Sequence, residues 1–237
     1  MCTVSFFNTG TSLILTSNRD EKKDREKAIF PSILDLEDHT IYYPKDKKAL
    51  GTWIVADTKG DIAILLNGAF QKHEVHPPYR KSRGIILLDL AKDKNIVNAF
   101  HKYPLLEIEP FQLLVYSQKE LFRLIWDGEH KHIIPLPTHE NYLLSSSTLY
   151  NDDIVIEREK AFKQLQRTEK ITDRQILEFH KTHQIEEEPN IEKIIKEKFA
   201  TVSITQLIVT EKNIELSYYD LAENKMQKEK IETRDFI

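Results

Sequence analysis

Cys2 is the single cysteine of the chain and follows Met1 directly. Cysteine is small enough for an initiator methionine to be removed ahead of it. The residue left behind carries a thiol and a free α-amine. Their ordinary pKa values, about 8.5 for the thiol and about 7.7–8.0 for the amine, let the amine take the thiol proton and later give a proton to a leaving amine. Such a residue is a nucleophile with its own general base and needs no distant histidine. The plainer reading of Cys2 is a small apolar residue that opens a strand.

Asn18-Arg19-Asp20-Glu21 is the second group with chemical content. A carboxylate there can hold and orient an α-ammonium, and a guanidinium can stabilise a thiolate. Thr3–Phe7 and Ser12–Ser17 read as strands about a turn at Asn8-Thr9-Gly10, so a hairpin returns the tetrad to the chain start. Alternation along a strand puts Asn18 and Asp20 on one face and Arg19 on the other. Asp20 is therefore the expected partner of the Cys2 amine. The alternative is a charged strand end in solvent.

The elements that must position these groups follow from periodicity and punctuation. Ile41–Tyr43 is a short strand, and Thr52–Ala56 and Ile62–Leu66 flank the hairpin signal Asp57-Thr58-Lys59-Gly60. Asn18–Lys27 has no clean apolar period, and Gln71–Arg80, with Pro77-Pro78, reads as a loop. Ile85–Ala91 and Ile96–Tyr103 are expected as helices. Phe111–Tyr116, Leu121–Trp126, His132–Leu136 and Tyr142–Thr148 are expected as strands. Asn151 and Asp152 can cap a helix to about Arg167, and Thr172-x-x-Gln175 is a capping box for one to about His183. Pro189-Asn190 opens a third helix, to about Lys198. Strands return at Thr201–Val209, Ile214–Tyr219 and Lys228–Thr233. The hairpins point to antiparallel sheets rather than a run of βαβ units, in a single domain over residues 1–237.

Composition removes several classes of function. The net charge of −4 is that of no globally basic nucleic-acid binder. Six glycines and no phosphate-loop pattern argue against a glycine-rich nucleotide site. One cysteine excludes an intrachain disulfide and a cysteine-built zinc site. No apolar run approaches the ~18 residues of a membrane span, and a cytoplasmic address is expected. His73-x-x-His76, His130-x-His132 and His180-x-x-His183 bring no third ligand close in sequence, so neither a metal nor any other cofactor is expected. Trp53, Trp126, Tyr218, Tyr219, Phe162, Leu165, Ile176 and Phe179 read as packing, and Glu186-Glu187-Glu188 as a solvated turn.

Met1-Cys2, the strand ending in Asn18-Arg19-Asp20-Glu21, and Gly51-Thr52-Trp53 together resemble the NRDE family, also called the transport-and-Golgi-organisation family. That family is similar in turn to N-terminal-nucleophile hydrolases such as choloylglycine hydrolases and penicillin V acylases. The resemblance implies an α+β, four-layer αββα sandwich of two antiparallel sheets flanked by helices. It also implies roles: Cys2 as nucleophile, Asp20 as the carboxylate holding its amine, and Asn67 as the amide that stabilises the oxyanion. Asn67, before Gly68, also reads as a simple turn residue. The pattern departs from choloylglycine hydrolases at Ser17, where they carry an arginine. It departs again at Ser146, where they carry a second asparagine, and their late arginine has no match.

Two functions are therefore expected as alternatives. One is an N-terminal cysteine hydrolase of amide C–N bonds in a small acyl-amide, with Arg19 tuning the thiolate or binding an anionic group and Asn18 and Ser146 touching the substrate. The other is a carrier on the same scaffold for a hydrophobic anionic ligand, haem or an acyl or lipid-like molecule. Neither involves nucleic acid or a membrane span.

Overall fold

The computed structural model describes residues 3–147, 152–182 and 199–233. Cys2, Thr148, Asn151, His183, Glu186-Glu187-Glu188 and the helix expected from Pro189 lie outside the described residues.

Strands β1 (Thr3–Asn8) and β2 (Leu13–Lys22) form the expected hairpin, with Val4 opposite Ser17 and Asn8 opposite Leu13. β2 does not stop before the tetrad. It runs through it to Lys22, and the charged stretch expected to be irregular begins as buried strand. Strand β3 (Ile29–Asp35), unforeseen, pairs with β4 (Thr40–Lys45). Next come β5 (Ile54–Asp57) and β6 (Ile62–Asn67), then helices α1 (Arg83–Ala91) and α2 (Ile96–Lys102). β7 (Phe111–Ser117), β8 (Glu120–Trp126) and β9 (Lys131–Leu136) follow as a meander, and β10 (Tyr142–Ser145) crosses to pair with β1. Helices α3 (Asp152–Gln166) and α4 (Asp173–Thr182) precede β11 (Phe199–Val209), β12 (Asn213–Asp220) and β13 (Lys225–Glu232). The capping box before α4 is formed: Gln175 N–H donates to Thr172 Oγ1 at 3.2 Å, and Thr172 N–H donates to Gln175 Oε1 at 3.0 Å.

All strand pairs are antiparallel and fall into two sheets. One has the order β10-β1-β2-β11-β12-β13, the other β3-β4-β5-β6-β7-β8-β9. α1 and α2 cover the second sheet over β5–β7, while α3 and α4 cover the first over β10, β2 and β11. This is the four-layer αββα arrangement. One apolar cluster fills the space between the sheets, with Val4, Phe6 and Leu15 meeting Ile54, Leu66 and Leu113. A smaller one joins Phe7 and Ile14 to Phe162, Ile176 and Phe179 of the outer helices. Each such fully buried side chain contributes roughly 1.5–3 kcal/mol relative to exposure.

The β5–β6 hairpin is latched to the end of α1. Lys59 Nζ lies 2.9 Å from Asp57 and donates to the Asp93 carbonyl at 3.1 Å, while His39 Nε2 is 2.9 Å from the Ala91 carbonyl. Asp61 is buried beside Asp57. Burial, and then the charge of Asp57, push its carboxyl up to about 6.

Candidate active site

Alternation along β1 divides its side chains between the two cores. Thr3, Ser5 and Phe7 face the α3/α4 layer: Arg158 Nη1 donates to Thr3 Oγ1 at 2.6 Å, Ser5 Oγ lies 2.7 Å from His180 Nε2, and the Phe7 and Phe162 rings are 5.0 Å apart. Asn18 on β2 faces the same way. Its amide donates to the His180 carbonyl at 3.0 Å, and His180 Nδ1 donates to its Oδ1 at 2.6 Å. Asn18 thus braces β2 against α4. Asn18, expected to touch a substrate, has its side chain turned by strand alternation to the helix side of the sheet. His180, with an exposure of 1%, is a hydrogen-bonded core histidine.

Arg19 points the other way, towards the second sheet. Its guanidinium lies 4.2 Å from the Trp53 ring centroid, and Nη2 donates to Asp46 Oδ2 at 2.5 Å. The turn after β2 brings Arg25 back to the same carboxylate, Nε to Oδ2 at 3.1 Å and Nη2 to Oδ1 at 3.0 Å. Asp46 Oδ1 also accepts the Lys48 and Ala49 N–H groups at 3.0 and 2.7 Å. Burial alone would raise this carboxyl. The Ala49 N–H and the two guanidiniums outweigh that and hold it below the usual carboxylate value.

Asp20 is fully buried and accepts the Thr201 hydroxyl at 2.6 Å. The register between β2 and β11 shifts here, with Asp20 opposite Thr201 and Arg19 opposite Ser203. A bulge of this kind re-aims side chains locally. Asp20 therefore sits on a distorted stretch of β2, the strand that pairs with β1.

Gly51-Thr52-Trp53 leads into β5. A Cβ on Gly51 would stand 2.5 Å from the Gly84 carbonyl carbon, and one on Gly84 would stand 2.6 Å from the Thr52 carbonyl oxygen. Two glycines thus let the start of α1 approach the chain closely enough for Thr52 N–H to donate to the Gly84 carbonyl at 3.2 Å. The Thr52 hydroxyl, 2.7 Å from the Pro44 carbonyl, fixes the bend that presents Trp53 to Arg19.

Asn67 ends β6. Its N–H donates to Ser146 Oγ at 3.2 Å, which ties the second sheet to the segment after β10, whose Ser145 pairs with Thr3. Ser146, expected as a ligand contact, is 2% exposed and accepts the Asn67 N–H. The Asn67 side-chain amide makes no hydrogen bond to the described residues. Asn67, Arg19, Trp53, Leu65 and Gly84 line one cleft of about 390 Å³. Its charged lining is Arg19, Arg25, Lys81 and Arg83 against Glu21, Asp46 and Glu109.

Three of the expected residues, Arg19, Asp20 and Asn67, thus lie at or beside the junction of β1, β2 and the cleft, and Cys2 is outside the described residues. Arg158, 4% exposed and touching the residue after Cys2, was not foreseen. Its setting in Glu157-Arg158-Glu159-Lys160 reads as a solvated helix face. Among the described residues no group of three or more His, Cys, Asp or Glu could hold a metal ion. His73 Nε2 is 3.4 Å from Glu109 without hydrogen-bond alignment, and His132 Nε2 lies 2.6 Å from Asp127. No helix of the described residues is long and apolar enough to cross a membrane.

The two helix-flanked antiparallel sheets are the fold of the N-terminal-nucleophile hydrolases. A mutant of conjugated bile acid hydrolase from Clostridium perfringens superposes with a TM-score of 0.59 at 8% identity, over 97% of this chain and 96% of that one. The Caenorhabditis elegans orthologue of N-acylethanolamine-hydrolyzing acid amidase gives 0.58 at 12% identity, over 87% and 92%. The model of the Transport and Golgi organisation 2 family matches residues 1–231, and the chain belongs to that family. The comparison with curated protein sequences finds no match.

Proposed function

We propose that the protein is an N-terminal cysteine hydrolase of the amide bond of a small acyl-amide, active once Met1 is removed. The Cys2 thiolate attacks the carbonyl carbon, and its own α-amine, held by Asp20, takes the thiol proton. The Asn67 amide donates to the oxyanion. The C–N bond then breaks, the amine returns the proton to the leaving nitrogen, and a thioester remains on Cys2. Water attacks the thioester, which releases the acid and restores the thiol. A cytoplasmic setting keeps such a thiol reduced.

The observation that carries this reading is Asn67. Its backbone is pinned by Ser146 and its amide is left to the cleft, next to the strands that follow Cys2 and hold Asp20. A donor fixed before the reaction stabilises developing charge without reorganising, and losing one costs about 2.7–4 kcal/mol. The neighbours in fold, named for hydrolysing conjugated bile acids and N-acylethanolamines, support an amide as substrate.

A carrier of a hydrophobic anionic ligand is the rival, favoured by the cationic cleft. Asn67→Ala separates the two. After a screen of N-acyl amino acids and related amides with Met1-free protein, the variant lowers kcat about 10²–10³-fold with KM little changed if Asn67 acts in the transition state. Absence of turnover, with ligand binding weakened by the same change, marks a carrier.

A further inference from the structure

The mechanism leaves Arg19 and Arg25 without a task. Both guanidiniums lean on one carboxylate, and that carboxylate is saturated: Asp46 accepts Arg19 Nη2, two N–H groups of Arg25 and the backbone N–H groups of Lys48 and Ala49. A carboxylate has about four lone-pair sites, so Asp46 can take no more from either arginine. Arg19 and Arg25 thus set two fixed positive charges against the one carboxylate they share, with Glu21 the other acidic side chain on this part of the lining. Arg19 is 5% exposed, yet among the described residues Asp46 is its one acceptor. Stacked on Trp53, a guanidinium keeps its in-plane N–H edge for a second acceptor. Trp53 and Leu65 form low-polarity walls that strengthen the local field.

We propose that this end of the cleft is a subsite for a carboxylate or phosphate group, received by Arg19 and Arg25 over the Trp53 ring, and that the substrate is a small acyl-amide with an anionic end. The substrate class rests on the hydrolase reading. The anion subsite itself does not. It also gives the tetrad arginine and the Gly51-Thr52-Trp53 segment a shared purpose: the bend held by Gly51 and Thr52 supplies the aromatic floor under Arg19. The first turn of α1 lines the same cleft at Ser82–Gly84.

The test is calorimetric binding to the full chain carrying Cys2→Ala, so that no thioester forms. Three probes are compared at low ionic strength: N-hexanoylglycine, hexyl phosphate and the neutral N-hexanoylethanolamine. The expected result is that at least one anionic probe binds about tenfold or more tightly than the neutral one, about 1.4 kcal/mol. Which of the two binds better assigns carboxylate or phosphate. Arg25→Gln should remove most of that preference and leave the neutral probe unchanged, while Arg25→Lys, which keeps the charge but not the fork, should retain part of it. Equal affinity for all three probes, no binding of any at about 1 mM, or a preference untouched by Arg25→Gln in a protein that still melts cooperatively would overturn the subsite. The two proposals fail separately. Anion preference without turnover by Met1-free protein sinks the hydrolase alone, and turnover without preference sinks the subsite alone.

Discussion

The N–H of Asn67 and the hydroxyl of Ser146, 79 residues apart in sequence, meet at 3.2 Å and join the edge of one sheet to the interior of the other. The contact fixes the backbone that carries the proposed oxyanion donor. Ser146→Ala deprives that half-buried N–H of its acceptor; a fully buried orphan costs about 1–3 kcal/mol, and this one falls at the low end of that range. Urea unfolding should register a loss in that range. Turnover should fall further than occupancy changes explain, because Asn67 is no longer held.

The Gly51–Gly84 contact predicts a graded glycine series. Gly51→Ala drives a methyl group into the backbone of Gly84 and Ile85, where nothing flexible can yield. Overpacking of this kind costs about 1–3 kcal/mol or more. Gly10→Ala meets nothing within 4 Å and suffers only from a φ of +82°, a strain of about 1 kcal/mol. Thermal melts should therefore drop more for Gly51→Ala than for Gly10→Ala. Equal losses would contradict the close approach.

Asp61 predicts a pH dependence with a definite sign. Its carboxyl titrates near 6 in the folded protein against 3.8 ordinarily, so the folded state holds the proton more tightly than the unfolded one. This contribution is complete below about pH 4 and is lost as the pH rises through about 6. Asp61→Asn, which cannot ionise, should be more stable than wild type at pH 8 by on the order of 2 kcal/mol, and the gap should close below about pH 4. Chemical denaturation of both proteins across this range gives the answer, and a gap that widens in acid would reverse the assignment.

Asp20→Asn keeps an acceptor for the Thr201 hydroxyl, so the fold should survive. The Cys2 amine would lose its anionic partner. Alkylation of Cys2 should slow, and its pH profile should move relative to wild type. An unmoved profile in a well-folded variant would remove Asp20 from the mechanism.

Much of the fold was legible because it rests on local signals. The β5–β6 hairpin follows from alternation about Asp57-Thr58-Lys59-Gly60, and α4 follows from its capping box. What escaped depends on distant partners. β3 is an edge strand holding Pro31 and exposed Ile29 and Ile33, so its alternation is blurred. A solvated strand end was the alternative reading for Asn18, Arg19 and Asp20, and they are buried because His180, Asp46 and Thr201 satisfy them. Arg158 gave no signal, and the tie from Ser146 to the Asn67 N–H is set by a tertiary contact. Asn67 enters as a candidate by resemblance and Asp20 by resemblance and alternation together, whereas strand alternation alone separated Asn18 from Arg19.

The central claim is that Cys2, freed of Met1, forms a thioester with the acyl group of an amide. Rapid-quench intact-mass measurement tests it directly, on Met1-free protein mixed with an amide found by the screen, with a Met1-retaining form alongside. The account predicts a mass increase equal to the acyl group, confined to the N-terminal peptide and absent when Met1 is retained. Turnover without an adduct on Cys2, or the same adduct with Met1 in place, would contradict it.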